Sequence, residues 1–133
     1  MLLEHAQSYA CPECNGHLSL TISNKDKHHC YDGVFYCSMC NSSYPINDGI
    51  PIFVQDLDKQ KKHTARSFGY KWRKFGAIDD HYKKNFLDEI SPLDYRTFFK
   101  DKTVLDAGTG IGIPCYCIAE NGAKEIFAID IKV

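Results

Sequence analysis

The chain has 133 residues, 44% of them apolar and 25% charged, with a formal net charge of −1. That composition is ordinary for a soluble protein, and no apolar run approaches the ~20 residues a membrane-spanning helix requires. Charge is unevenly placed, with residues 1–57 at net −4, 58–102 at +5 and 103–133 at −2.

The N-terminus lacks a basic stretch followed by an apolar one, so a secretory signal is not expected. A cytoplasmic protein with reduced thiols and no membrane contact follows. Seven cysteines in that compartment point to metal binding in preference to disulfides.

Residues 1–57 hold two C-x-x-C knuckles, Cys11-Pro12-Glu13-Cys14 and Cys37-Ser38-Met39-Cys40, with 22 residues between them. Each knuckle offers two thiolates on a tight turn, and four thiolates complete a tetrahedral zinc site with no open position. The candidate metal ligands are therefore Cys11, Cys14, Cys37 and Cys40, holding a structural zinc. Between the knuckles, Leu18, Leu20 and Ile22 alternate before a polar turn at residues 24–27, and Val34-Phe35-Tyr36 follows. That pattern predicts a zinc ribbon of antiparallel strands. So short a segment makes a poor apolar core, and zinc binding supplies an apparent ~10–16 kcal/mol in such sites. His17, His28, His29 and Cys30 lie nearby; they read as turn and strand residues, with a histidine replacing one cysteine as the open variant. Asn47-Asp48-Gly49, between apolar pairs, predicts a closing hairpin.

Together the two knuckles and Tyr44-Pro45-Ile46-Asn47-Asp48-Gly49-Ile50-Pro51-Ile52-Phe53 resemble a small zinc-ribbon family. Its members occur as activator subunits of RNA- and protein-modifying methyltransferases and as N-terminal domains fused to methyltransferases.

Residues 58–102 read as a basic, aromatic helical bridge. Ala65, Phe68, Trp72 and Phe75 share one helical face, with Gly76 as a stop; Ile78, Tyr82, Phe86 and Ile90 share another, capped by Asp79 or Asp80. Ser91-Pro92-Leu93-Asp94 reads as the start of a third short helix. Lys61, Lys62, Arg66, Lys71, Arg73, Lys74, Lys83 and Lys84 fill the polar positions. That face is either a solvated amphipathic surface or an RNA contact combining phosphate binding with base stacking.

Residues 103–133 contain Val104-Leu105-Asp106-Ala107-Gly108-Thr109-Gly110-Ile111-Gly112, a helical stretch over residues 113–121, and an apolar run ending on Asp130. Strand, glycine loop, helix, strand and acid form the front half of a nucleotide-type site, with loop amides expected to face the ligand. A tight turn without a ligand is the alternative. The first strand is expected to be buried on both faces, and Cys115 and Cys117 to be small packing residues.

V-L-D-x-G-x-G-x-G with the later acid resembles motif I and the second-strand acid of class I S-adenosylmethionine-dependent methyltransferases. The resemblance implies that Asp106, Gly108, Gly110 and Gly112 border the cofactor, that Asp130 holds its ribose hydroxyls, and that Phe68, Tyr70 and Trp72 cover the pocket. The catalytic residues stay unassigned, and the methyl acceptor stays open among RNA, protein and small molecule.

The fold expected is thus α+β: a zinc ribbon (1–57), a helical bridge (58–102), and the first β-α-β unit of an incomplete Rossmann-like domain (103–133). Ordering those last residues costs about 45 kcal/mol at ~1.5 kcal/mol each, so they are expected to fray, to rearrange or to pack on another chain. The function expected is the N-terminal part of a methyltransferase; the alternative is a non-catalytic binding module for RNA or a protein.

Overall fold

A computed structural model describes residues 1–54, 57–75 and 80–131, with side chains except at Thr64, Phe68, residues 71–75 and Asp80. The chain is a mixed α+β structure in two units, Met1–Asp56 and Leu57–Val133.

The first unit is a four-stranded antiparallel sheet in sequential order: β1 (Leu18–Lys25), β2 (Cys30–Cys37), β3 (Ser43–Asn47) and β4 (Ile50–Pro51). A short 3-10 helix, Leu3–Ser8, precedes it, which the sequence pattern did not foretell. Phe35, Ile46, Leu18 and Tyr44 are buried together with Cys11, Cys30 and Cys37. Tyr9 and Phe53 extend this core, with ring centroids 5.4 Å and 6.3 Å from Phe35. The β3–β4 turn has Asp48 at φ 49° and Gly49 at φ 78°, the two positive angles of a type I′ hairpin, which glycine adopts without a Cβ penalty. The pairing of β1 and β2 shifts between Ile22 and Asn24, where Gly33 passes so close that a Cβ would lie 2.5 Å from the Thr21 carbonyl.

The second unit holds α1 (Lys59–Phe75), α2 (Asp80–Glu89), α3 (Tyr95–Phe98), β5 (Thr103–Ala107), α4 (Ile113–Glu120) and β6 (Glu125–Ile129). The expected helical face on residues 65–75 falls within α1. Gly76, Ile78 and Asp79 lie outside the described residues, as do the side chains of Phe68 and Trp72. The third helix begins later than Ser91 predicts. Asp94 is its N-cap, accepting from the Arg96 amide at 3.3 Å and from the Thr97 hydroxyl at 3.1 Å. A carboxylate that takes both an orphan amide and a hydroxyl outcompetes the upstream serine as the cap.

β5 and β6 pair in parallel, with Thr103 opposite Glu125 and Ala107 opposite Ile129, and α4 connects them. Cys117 and Ile118 of α4 are buried. Lys83 of α2 reaches Glu120 of α4 at 3.3 Å and lies 4.5 Å over the Tyr116 ring. Phe99 is buried against Phe86 and Phe98. Burial of β5 on both faces is not what the structure shows. Leu105 is 64% exposed and Ile129 54% exposed, and the parallel register puts them on the same face. A single helix can cover only one side of a two-stranded sheet.

Candidate metal centre and glycine-loop site

Two groups of residues emerge, one in each unit.

In the first unit, the sulfurs of Cys11, Cys14, Cys37 and Cys40 all lie within 4.8 Å of one another. Cys11 and Cys40 are 3.5 Å apart, as are Cys14 and Cys37. A zinc–sulfur bond of ~2.3 Å makes the edge of a tetrahedron about 3.8 Å, so the four thiols suit a tetrahedral ion. All seven cysteines are free. The knuckles are built alike. Asn15 and Asn41, each just after the second cysteine, have positive φ of 57° and 61°. The amide of Cys11 donates to the Gly16 carbonyl and that of Cys37 to the Ser42 carbonyl, both at 2.9 Å. Asparagine tolerates this left-handed turn, which folds each loop back on itself and brings its two sulfurs to one side.

Burial disfavours charge on Cys11, but the Tyr44 hydroxyl and the amides of Cys14 and Glu13 outweigh it and hold that thiol below its ordinary range. The Gly16 amide favours a charged Cys14, yet the adjoining thiol of Cys37 and burial push it the other way, well above the ordinary range. Four sulfurs this close cannot all ionise without a cation among them; a metal would replace the protons. With four protein donors no open position remains for substrate, and the donor set fits a structural ion.

His28 and His29 are not part of this group. They sit on the β1–β2 turn, where their amides donate to the Asp26 carboxylate at 2.7 and 2.6 Å, and Cys30 is buried in the core beside them. His17 is exposed in a bridge with Ala10.

In the second unit the glycine loop joins the end of β5 to α4. Gly108, Gly110 and Gly112 have φ of 84°, 57° and 84°, and a Cβ on Gly108 or Gly112 would meet nothing within 4 Å among the described residues. Steric crowding therefore does not demand glycine there; backbone angle does. The amides are used differently from the expectation that they face a ligand. Those of Gly108 and Thr109 donate to the Ile129 carbonyl at 2.8 and 3.2 Å, and that of Gly112 to the Thr109 carbonyl at 2.8 Å. The Gly110 amide donates to Asp130 Oδ2 at 2.6 Å. Four loop amides are thus satisfied within the protein: three because β6 ends beside the loop, where Ile129 offers a carbonyl and Asp130 a carboxylate, and the fourth by the loop's own Thr109 carbonyl.

Asp106, at the end of β5, accepts from the Cys115 thiol at 3.0 Å, and Cys115 also meets the Thr109 hydroxyl at 3.2 Å. Burial raises the Cys115 thiol, keeping it a neutral donor. Cys115 is therefore more than packing: it ties α4 to the strand acid and to the loop. Cys117, by contrast, is buried as expected. Neither Cys115 nor Thr109 has a spacing signal in the sequence; Cys115 meets Asp106 only once α4 folds back beside the strand end. Tyr70 is exposed.

No family model matches the chain. Over 89 residues it is 30% identical to Protein arginine N-methyltransferase 1 of Saccharomyces cerevisiae, a match covering 59% of this chain and 24% of that protein. Over 86 residues it is 29% identical to Protein arginine N-methyltransferase 2 of Dictyostelium discoideum, covering 60% and 15% respectively. The chain thus spans a quarter or less of the relatives it matches. The similarity is distant and partial, and it supports a methyltransferase relationship at that coarse level.

Among the described residues no helix is long and apolar enough to cross a membrane.

Proposed function

We propose that this chain is the N-terminal part of an S-adenosylmethionine-dependent methyltransferase of Rossmann-like type, with a zinc ribbon over residues 1–57 and a helical bridge over 58–102. The observation that carries the cofactor reading is the internal use of the loop amides. A phosphate-bearing dinucleotide needs free amides at the loop. Here four are engaged, and two carboxylates, Asp106 and Asp130, flank the loop. Such a setting repels phosphate and favours a phosphate-free ligand carrying positive charge and hydroxyls. The partial similarity to arginine methyltransferases supports the same class.

Bound there, S-adenosylmethionine supplies an electrophilic methyl group. The chain's own residues do the holding. Asp130 accepts from the Gly110 and Ile131 amides at 2.6 Å each, and a carboxylate has about four acceptor sites, so two remain for ribose hydroxyls. Gly108, Gly110 and Gly112 keep the loop close to the ligand, and Cys115 holds Asp106. Methyl transfer draws mainly on positioning of the acceptor in line with the methyl, consistent with a site rich in binding residues. The exposed Leu105 and Ile129 mark a sheet face suited to a further layer, supplied by a partner chain.

Calorimetric titration tests this reading: S-adenosylmethionine should bind and NAD should not. Binding of NAD alone, or of neither, would sink it.

A second reading is favoured by α1, which carries seven Lys/Arg and no acid. In it the chain is a cytoplasmic binding module that docks RNA through this basic segment. Filter binding across salt concentrations separates the two, since phosphate contacts give a steep salt slope. A protein acceptor, as the names of the two relatives indicate for them, predicts no such slope.

A further inference from the structure

We propose that Tyr44 and Ser42 are positioning residues of the four-cysteine centre, their hydroxyls gripping the Cys11–Cys40 edge of the sulfur tetrahedron. The inference rests on the metal reading above and concerns what holds the ligands in place.

The Tyr44 oxygen lies 3.2 Å from Cys11 Sγ, either atom being able to donate, and the Cys40 thiol donates to Ser42 Oγ at 3.3 Å, a bond whose direction reverses once the thiol has lost its proton. A cysteine bound to a metal is a thiolate with no proton to give. In the loaded site both hydroxyls must therefore be the donors, and both sulfurs the acceptors. The two sulfurs are themselves 3.5 Å apart, so both hydroxyls act on a single edge.

The backbone explains the placement. β3 pairs with β2 so that Tyr44 lies opposite Phe35, and the Tyr44 ring meets Phe53 at 5.2 Å with a 52° tilt. At 3% exposure the ring has no room to turn, and its hydroxyl is delivered to Cys11. A buried hydroxyl without an acceptor is costly; the sulfur serves as that acceptor. Ser42 follows the second knuckle, and its carbonyl takes the Cys37 amide, which fixes the residue that offers Oγ to Cys40. The opposite edge differs: Cys14 and Cys37 are approached by Gly16, which has no side chain to donate. Among the described residues the hydroxyl grip is on one edge, and the other edge is met by the Gly16 amide.

The test compares zinc affinity by chelator competition in wild type, Tyr44→Phe, Ser42→Ala and Phe53→Leu, together with absorption of the cobalt(II)-substituted proteins. Tyr44→Phe keeps the ring and removes only the donor. It should weaken zinc on the order of 10–100-fold and shift the sulfur-to-cobalt charge-transfer band. Ser42→Ala should move both readouts in the same direction. Phe53→Leu removes ring packing, and should lower the melting temperature with little change in the cobalt band. Unchanged affinity and cobalt spectrum in Tyr44→Phe would overturn the proposal, as would equal band shifts in Tyr44→Phe and Phe53→Leu. If Tyr44→Phe does not fold, unchanged zinc affinity in Ser42→Ala overturns it. A wild type that takes up no zinc defeats the metal reading itself, a separate outcome.

Discussion

The amide of Gly110 donates to Asp130 Oδ2 at 2.6 Å, across twenty positions of sequence. An acid at the end of β6 thereby holds the glycine loop that leaves β5. Such charge-assisted bonds are roughly twice as strong as neutral ones. Asp130 thus holds the loop as well as offering lone pairs to a ligand. Replacing it with Ala should weaken S-adenosylmethionine about 10–100-fold, at the 1.5–3 kcal/mol typical of hydrogen bonds to charged groups. Asp130→Asn should fall between, because its carbonyl can still accept from Gly110. Calorimetric titration of the three proteins gives the order.

Metal analysis of the purified protein should find one zinc per chain. Cys11→Ser or Cys40→Ser should lose it and, with it, the melting transition of the N-terminal sheet, because metal binding and folding are linked in such sites. Full metal content in either variant would contradict the four-cysteine assignment.

Gly16 offers a test that touches no ligand. A Cβ there would lie 2.7 Å from Met39 Sδ and 3.1 Å from the sulfurs of both Cys14 and Cys37. Met39 is exposed and can swing away; the two sulfurs cannot without opening the site. Gly16→Ala should therefore cost about 1–3 kcal/mol and weaken zinc. Gly69→Ala, in α1, meets nothing within 4 Å among the described residues. It should be neutral or stabilise by up to about 1 kcal/mol through helix propensity. Paired thermal melts decide both.

Asp26 anchors the β1–β2 turn. The His28 amide first, then the Tyr31 hydroxyl at 2.8 Å and the His29 amide, hold its carboxyl far below the usual carboxylate range. A carboxyl lowered on folding stabilises the fold above its unfolded pKa of about 3.9 and loses that contribution as pH falls further. Acid titration should therefore loosen this turn progressively below about pH 4, well before the carboxyl itself is fully protonated. Asp26→Asn should flatten that part of the profile, monitored by amide exchange at residues 28–31.

Much of this architecture was readable from local pattern. The four cysteines announce themselves because a C-x-x-C turn is a local structure whose two thiols converge wherever the loop folds back. Leu18, Leu20 and Ile22 mark β1 by alternation, and Asp48-Gly49 marks the β3–β4 hairpin as a turn dipeptide. The strand-loop-helix order around Gly108 to Gly112 is equally local. The start of α3 was misplaced because Ser91 and Asp94 compete as caps, and only hydrogen-bond geometry separates them.

What the sequence by itself determined are the features that depend on neighbours within a few residues: knuckles, turns, strand alternation, and the glycine loop with its acids. The tertiary structure alone decided the relations between residues far apart in the chain. It turned the loop amides inward toward Ile129 and Asp130, set Cys115 against Asp106, and left Leu105 open. It also laid Tyr44 on Cys11, since the pairing of β2 with β3 decides which hydroxyl reaches which sulfur. Hydrogen-bond partners are a matter of distance in space, which short-range pattern does not encode.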